Sequence, residues 1–331
     1  MSQGVVRAFP PEVLEIARKI RDMEIRGAGR IAKAAAEALR IAALKYEGES
    51  CEEFKEYMLK VAELLVSTRP TAVSLPNAVN YVVSQLKKPG IDSLEKARSL
   101  VVSRASRFIE YADQALSKIS EFGEKVIRDG DTILTHCNSA AATGILVLAH
   151  KKGKDITVYA TETRPKFQGY ITAESLLREG VRVRIIPESA VRSIMKRIDK
   201  VVVGADTVAA NGAVVNKVGT SLIALAARER GIDFFVATET FKFSPFTLIG
   251  DIVPIEFRAE TEIVDEEMLA RHPKLRVLNP AFDVTPPDFI TGIITEIGII
   301  PPQAASIVIE EMYGHPVMHE SLKAVEEDFA Q

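Results

Sequence analysis

An α/β fold, helical in its first part and built on a parallel sheet in its second, is what this chain predicts, and three observations predict it. Apolar residues from 10 to 128 recur at helical spacing almost without interruption. Beyond residue 128, short runs rich in Val and Ile alternate with helical segments, the pattern of βαβ units with right-handed crossovers. A polar stretch follows most of those runs, so parallel strands would carry the reactive side chains along one edge. The expected domains are residues 1–128, helical, and 129–331, α/β and bearing the site.

Taken in order, Pro11 opens a helix that sets Val13, Leu14, Ala17, Ile20 and Met23 on one face. Ile31, Ala34, Ala35, Ala38, Leu39 and Ala42 give the second helix an alanine-rich stripe. Residues 51–66 continue the pattern with Phe54, Met58, Val61 and Leu65, and 75–86 add a helix that Pro89 and Gly90 close. From 94 to 126 the only breaker is Gly123, which predicts one long helix leading into the next domain. Strands are expected at 132–134, 156–160, 181–186, 201–203 and 234–237, and helices at 140–150, 170–179 and from Gly219 onward. Residues 207–218 read as a polar loop, 253–257 as a further strand and 279–290 as a proline-stiffened loop. Residues 289–296 and 303–312 are expected to be helical.

With 331 residues, 47% hydrophobic and 26% charged, the chain can build two substantial cores. Its formal charge of -3 offers no basic excess toward nucleic acid or a membrane surface, so any anion site must be local. No run reaches the roughly 18 apolar residues of a membrane span, and no signal region opens the chain, so the cytoplasm is expected. Two cysteines in unlike surroundings, Cys51 and Cys137, suggest a reducing compartment rather than a disulfide framework.

The strand ends carry the chemistry. The first strand runs into Thr135-His136-Cys137-Asn138-Ser139 and the fourth into Gly204-Ala205-Asp206, so a thiol and a carboxyl group, distant in sequence, are candidates for one crevice. A helix start lowers a thiol pKa and a dry pocket raises that of a carboxyl, which would supply one base and one acid. The plainer alternatives are a buried Cys137 and an Asp206 that caps a turn. Ser139, Ala140 and Ala141 begin a helix whose amides suit an anion, and Asn216 and Lys217 add an amide and an ammonium. Lys242 is a further cation for the crevice, or else a solvent-facing lysine. In the helical part, Arg26-Gly27-Ala28-Gly29-Arg30 resembles a phosphate cradle, and Arg69 in Arg69-Pro70-Thr71 offers another guanidinium. A glycine turn and a surface ion pair are the ordinary readings of these two.

Other chemistries find little support. Neither GxGxxG nor GxxxxGK[ST] is present, and His315 and His319, with Pro316 between them, lack the HExxH glutamate. No metal and no cofactor are therefore expected. His136 is the neighbour of Cys137 on a strand, and adjacent strand residues face opposite ways, which argues against a direct pair.

THCNSAAATG (135–144), ATETRPKFQG (160–169), GADTVAANGAVVNKVGT (204–220) and NPAFDVTPPDFITGIITE (279–296) together resemble the family of sugar-phosphate aldose-ketose isomerases. That family also includes the regulatory subunits of an initiation-factor exchange complex, and the match runs from about residue 26 to residue 296. The resemblance implies a Rossmann-like second domain, homodimers, with a hexamer as a trimer of dimers, and Cys137 and Asp206 as the catalytic pair. The substrate contacts expected are Arg26, Gly27, Ala28, Gly29, Arg69, Ser139, Ala140, Ala141, Asn216, Lys217 and Lys242, with Arg164 and Gln168 behind them. The cradle departs from the RGAPAIG of the methylthioribose-phosphate enzymes and favours a sugar bisphosphate. The expected reaction converts ribose 1,5-bisphosphate to ribulose 1,5-bisphosphate in AMP metabolism and nucleotide salvage. Methylthioribose 1-phosphate isomerisation and a non-enzymatic regulatory role are the alternatives.

Overall fold

The computed structural model describes residues 8–69, 72–249 and 253–313. Pro70, Thr71, His315, Pro316 and His319 lie outside the described residues. The described residues fall into two compact units that divide between Gln114 and Ala115.

The first unit is helical: α1 (Pro11–Arg21), α2 (Ala28–Leu44), α3 (Cys51–Thr68), α4 (Ser74–Val83) and the start of α5 (Leu94–Glu124). Its centre is the stripe of α2, where Ala32, Ala35, Ala36, Ala38, Ala42 and Ala43 are all fully buried. Alanine combines the best helix propensity with the smallest side chain, which lets α1, α3 and α4 approach closely.

The second unit holds β1 (Thr132–Thr135), α6 (Ala140–Lys151), β2 (Thr157–Thr161), α7 (Gln168–Arg178), β3 (Arg182–Ile186), α8 (Val191–Ile194) and β4 (Lys200–Gly204). There follow β5 (Thr207–Val208), β6 (Val214–Lys217), α9 (Thr220–Arg230), β7 (Asp233–Ala237), α10 (Glu266–Arg271), β8 (Phe282–Thr285), β9 (Gly292–Thr295), β10 (Gly298–Ile300) and α11 (Ala305–Tyr313). Seven strands form one sheet in the order β10-β9-β7-β4-β1-β2-β3, parallel except for β10. Its parallel part has the doubly wound order, which reverses between β1 and β4. Successive residues alternate between two cores: Ile133, Val158, Val202, Phe235 and Ile294 pack with Ile145 and Leu146 of α6. Leu134, Val201, Val203, Phe234, Val236 and Ile293 pack on the other face with Ile223 of α9 and Ile309 of α11. Both faces are covered, which is why these strands read as unbroken apolar runs.

Four expectations are corrected. Residues 289–296 are not a helix: Gly292–Thr295 is β9, and every residue in it is buried. Phe289, Ile290, Ile293 and Ile294 mimic helical spacing, but a strand apolar on both faces has no period of two to display. The loop at 279–290 contains β8, and the loop after Asp206 contains β5 and β6. These three strands make a small antiparallel sheet in the order β5-β6-β8. Residues 253–257 form no strand, only a bridge from Phe257 to Pro280.

Candidate active site

At the point where the strand order reverses, β1 and β4 lie side by side with Leu134 opposite Val201. The residues that follow them, Cys137 and Asp206, therefore leave the sheet at the same edge, where open α/β sheets form a ligand crevice. Gly204 permits a close approach at this edge. A Cβ there would meet the Ser139 hydroxyl at 2.4 Å, so only glycine lets the end of β4 pass beneath the start of α6. Ser139 caps α6 by accepting from the Ala142 N–H at 3.2 Å. Ala140 and Ala141 then form the first turn, whose amides precede any intrahelical acceptor.

Cys137 sits in the left-handed region at φ 63°, and so does Thr163 after β2, at φ 62°. Non-glycine residues held there store about 1–3 kcal/mol of strain each, which the surroundings must hold in place. The Cys137 N–H donates to Thr163 Oγ1 at 2.9 Å, and the Cys137 carbonyl accepts from Thr172 Oγ1 of α7 at 2.8 Å. The thiol itself reaches Gln168 Oε1 at 3.5 Å. Gly169, next in α7, is equally constrained: a Cβ there would sit 1.7 Å from the Thr161 carbonyl oxygen.

Burial pushes the Cys137 thiol up to about 12, against the pull of Lys217 and with a smaller push from Asp206. Lys217 and the Asn138 N–H favour the thiolate, but loss of water outweighs them. A charge on Asp206 opposes ionisation of the thiol. Asp206 is half-buried, and its N–H donates to the Val215 carbonyl of β6 at 3.0 Å.

His136 is fully buried, and burial pushes it down to about 4, opposed by Glu188 and the Val218 carbonyl. Its Nε2–H donates to the Val218 carbonyl at 3.0 Å, so Nδ1 accepts from the Thr161 hydroxyl at 2.6 Å. A neutral imidazole with both nitrogens engaged supports the strand end and is not a base for the neighbouring thiol.

Lys217 and Asn216 come from β6. Lys217 lies 4.9 Å from the Phe282 ring centroid, and its charge is felt at Cys137, His136 and Asp283. The Asn216 amide donates to Thr220 Oγ1 at 3.0 Å. Lys242 is buried rather than solvent-facing: its ammonium pairs with Glu239 at 2.7 Å and donates to the carbonyl of Ala205, beside Asp206, at 3.1 Å. Arg164 is exposed and stacks at 5.1 Å on the Phe167 ring.

The remaining candidates belong to the first unit. Gly27, at φ 89°, is the residue before α2, with exposed Arg26 ahead of it and Ala28 and Gly29 in the first turn. Arg69 ends α3, and Ser74 of the following helix donates to the Ala28 carbonyl at 2.9 Å. The turn before α2 and the start of α4 are thereby tied together.

Two carboxylates beside the candidate residues escaped the sequence reading. Asp283 of β8 lies opposite Asn216 and accepts from the Gly219 N–H at 2.7 Å and the Ser221 N–H at 3.1 Å, capping α9 from another strand. Burial pushes its carboxyl pKa up even so. Glu188, after β3, accepts from the Thr163 N–H at 2.5 Å. Nothing local marks Glu188, but the Asn211–Gly212 dipeptide, a strong hairpin signal, could have revealed β5 and β6 and hence the strand that Asp283 faces.

Among the described residues, no group of three or more His, Cys, Asp or Glu could hold a metal ion, and no helix is long and apolar enough to cross a membrane. The model of the initiation factor 2 subunit family matches residues 24–302. The chain belongs to that family. Within it, ribose 1,5-bisphosphate isomerase of Archaeoglobus fulgidus is 52% identical over 310 residues, covering 93% of this chain and 96% of that protein. The protein of the same name from Thermococcus kodakarensis is 50% identical over 311 residues, again covering 93% and 96%. The crystal structure of 5-methylthioribose 1-phosphate isomerase from Pyrococcus horikoshii matches with a TM-score of 0.73 at 32% identity, over 91% of this chain and 87% of that one.

Proposed function

We propose that this protein is a sugar-phosphate aldose-ketose isomerase that converts ribose 1,5-bisphosphate to ribulose 1,5-bisphosphate. The observation that carries the reading is the identity of 52% and 50%, over nearly the whole of both chains, to two proteins of that name. The site is consistent with it, since a thiol and a carboxyl group share a strand-order reversal with cationic and amide donors around them.

The C1 oxygen of the substrate carries phosphate, so the ring cannot open as a free hemiacetal does. In the proposed mechanism the reactive form holds the proton shared by the pair on Asp206, leaving Cys137 as thiolate beside Lys217. Asp206 protonates the ring oxygen as its bond to C1 breaks, and Cys137 takes the C2 proton to give the enol phosphate. Cys137 then returns its proton to C1, and Asp206 recovers one from the C2 hydroxyl, leaving the ketose and the starting enzyme. A thiol of high proton affinity is a strong base once stripped, which suits it to a carbon acid.

Asn216, Lys217, Lys242 and the α6 amides at Ser139, Ala140 and Ala141 are the proposed anion contacts of the second unit. Within the first unit, Arg26, Gly27, Ala28, Gly29 and Arg69 form a candidate anion cradle of their own. We further propose that the protein works in the cytoplasm as a homodimer, with a hexamer as a trimer of dimers, in salvage of nucleoside monophosphates such as AMP. The test is turnover of purified protein on ribose 1,5-bisphosphate and on methylthioribose 1-phosphate. A preference of about 10²-fold or more for the bisphosphate in kcat/KM is expected; the reverse preference, or turnover of neither, would overturn the assignment.

A further inference from the structure

Cys137 is held by its backbone, and the chain of contacts that holds it leads back to one carboxylate. The Cys137 N–H needs the Thr163 hydroxyl oxygen at 2.9 Å, and that oxygen is in position only while Thr163 stays left-handed at φ 62°. A β-branched residue does not adopt that conformation unaided. What meets the Thr163 N–H in it is Oε1 of Glu188 at 2.5 Å, a charge-assisted bond from the loop after β3 to the loop after β2. The Thr163 hydroxyl in turn reaches the Thr161 carbonyl at 3.3 Å, so its lone pairs are left to face Cys137. Glu188 is partly buried, with 19% of its side chain exposed, and lies 3.9 Å from His136 Nδ1.

We propose that Glu188 is a positioning residue for the Cys137 thiol, acting through Thr163 rather than on the substrate. Its carboxylate locks Thr163 in the left-handed turn, and the locked Thr163 fixes the peptide from which the thiol projects. The charge of Glu188 has a second effect that a purely structural brace would lack. With Asp206 it opposes ionisation of the thiol, while Lys217 favours it and the neutral His136 adds no charge.

The test uses the full chain in a Cys51→Ser background, so that only one thiol reports. Glu188→Ala should lower kcat by about 10²-fold with KM changed less than about threefold, the scale expected when a reacting group is misplaced by about 1 Å. Glu188→Gln keeps the acceptor and should stay within about tenfold of the parent. In both variants the rate of iodoacetamide alkylation of Cys137 should rise at lower pH than in the parent, because one of the two opposing charges is gone. Thr163→Val, nearly the same in shape, should reproduce the kcat loss with the Glu188 charge still in place, and it stands in should Glu188→Ala fail to fold. Full kcat in Thr163→Val, or an unmoved alkylation profile in Glu188→Gln, would overturn the proposal. The kcat arm rests on the isomerase reading and the alkylation arm does not. Lack of turnover in the parent would therefore fail that reading alone.

Discussion

At the scale of single residues the central fact is a thiol that resists ionisation. Because burial pushes Cys137 up to about 12, its thiolate fraction at neutral pH is far below that of a free cysteine, whose pKa is about 8.5. Iodoacetamide should therefore label Cys137 in the ligand-free protein slowly at pH 7, with a rate still climbing above pH 10; a plateau by pH 9 would contradict this. His136 carries the opposite kind of shift, and its sign can be worked through. Its folded value of about 4 lies below the unfolded 6.5, so the folded state favours the neutral ring. That stability is fully present above pH 6.5 and is lost as pH falls through 4, a contribution on the order of 3 kcal/mol. Urea midpoints measured from pH 7 to pH 4 should fall more steeply in the parent than in His136→Gln. The sequence showed Cys137 and Asp206 as strand-end side chains of the right types. It could not show that desolvation outweighs Lys217 and the Asn138 N–H at the sulfur, because burial depends on what the rest of the chain packs above that point.

At the scale of elements, α9 is capped from outside itself. Its first residues follow Gly219, at φ 105°, whose N–H and that of Ser221 are satisfied by Asp283 of β8. Asp283→Ala should cost about 0.5–2 kcal/mol in denaturant unfolding, the usual worth of an N-cap, and should raise KM because the turn bearing Lys217 loosens. The first unit shows the same dependence on close approach. Enlarging the stripe of α2, as in Ala35→Leu, should cost about 1–3 kcal/mol by overpacking a residue that is 0% exposed. Strands β1, β2, β4 and β7 were legible because each is a short β-branched or aromatic run bounded by turn residues. β9 was not, since its isoleucines fall at spacings a helix would also use. β5, β6 and β8 are short and polar at their ends, and only the Asn211–Gly212 turn distinguished them from a loop.

At the scale of the molecule, the strand order β3-β2-β1-β4-β7-β9 separates what holds the sheet from what uses it. At the far edge, where β1 and β4 begin, Lys200 and Asp131 form a buried pair at 2.8 Å. Lys200→Met should destabilise the fold by about 3–5 kcal/mol, since it strands a buried carboxylate, while leaving kcat/KM within about twofold. At the near edge the order reverses, and Cys137 and Asp206 follow the ends of the neighbouring strands β1 and β4. That convergence is what two motifs 69 positions apart in the sequence could only suggest, and it is the claim the mechanism needs. It is tested most directly by kcat and Kd for ribose 1,5-bisphosphate in Cys137→Ser and in Asp206→Asn. Each variant should lose about 10²–10⁴-fold or more in kcat while binding substrate within about tenfold of the parent, and normal turnover in either would contradict the account.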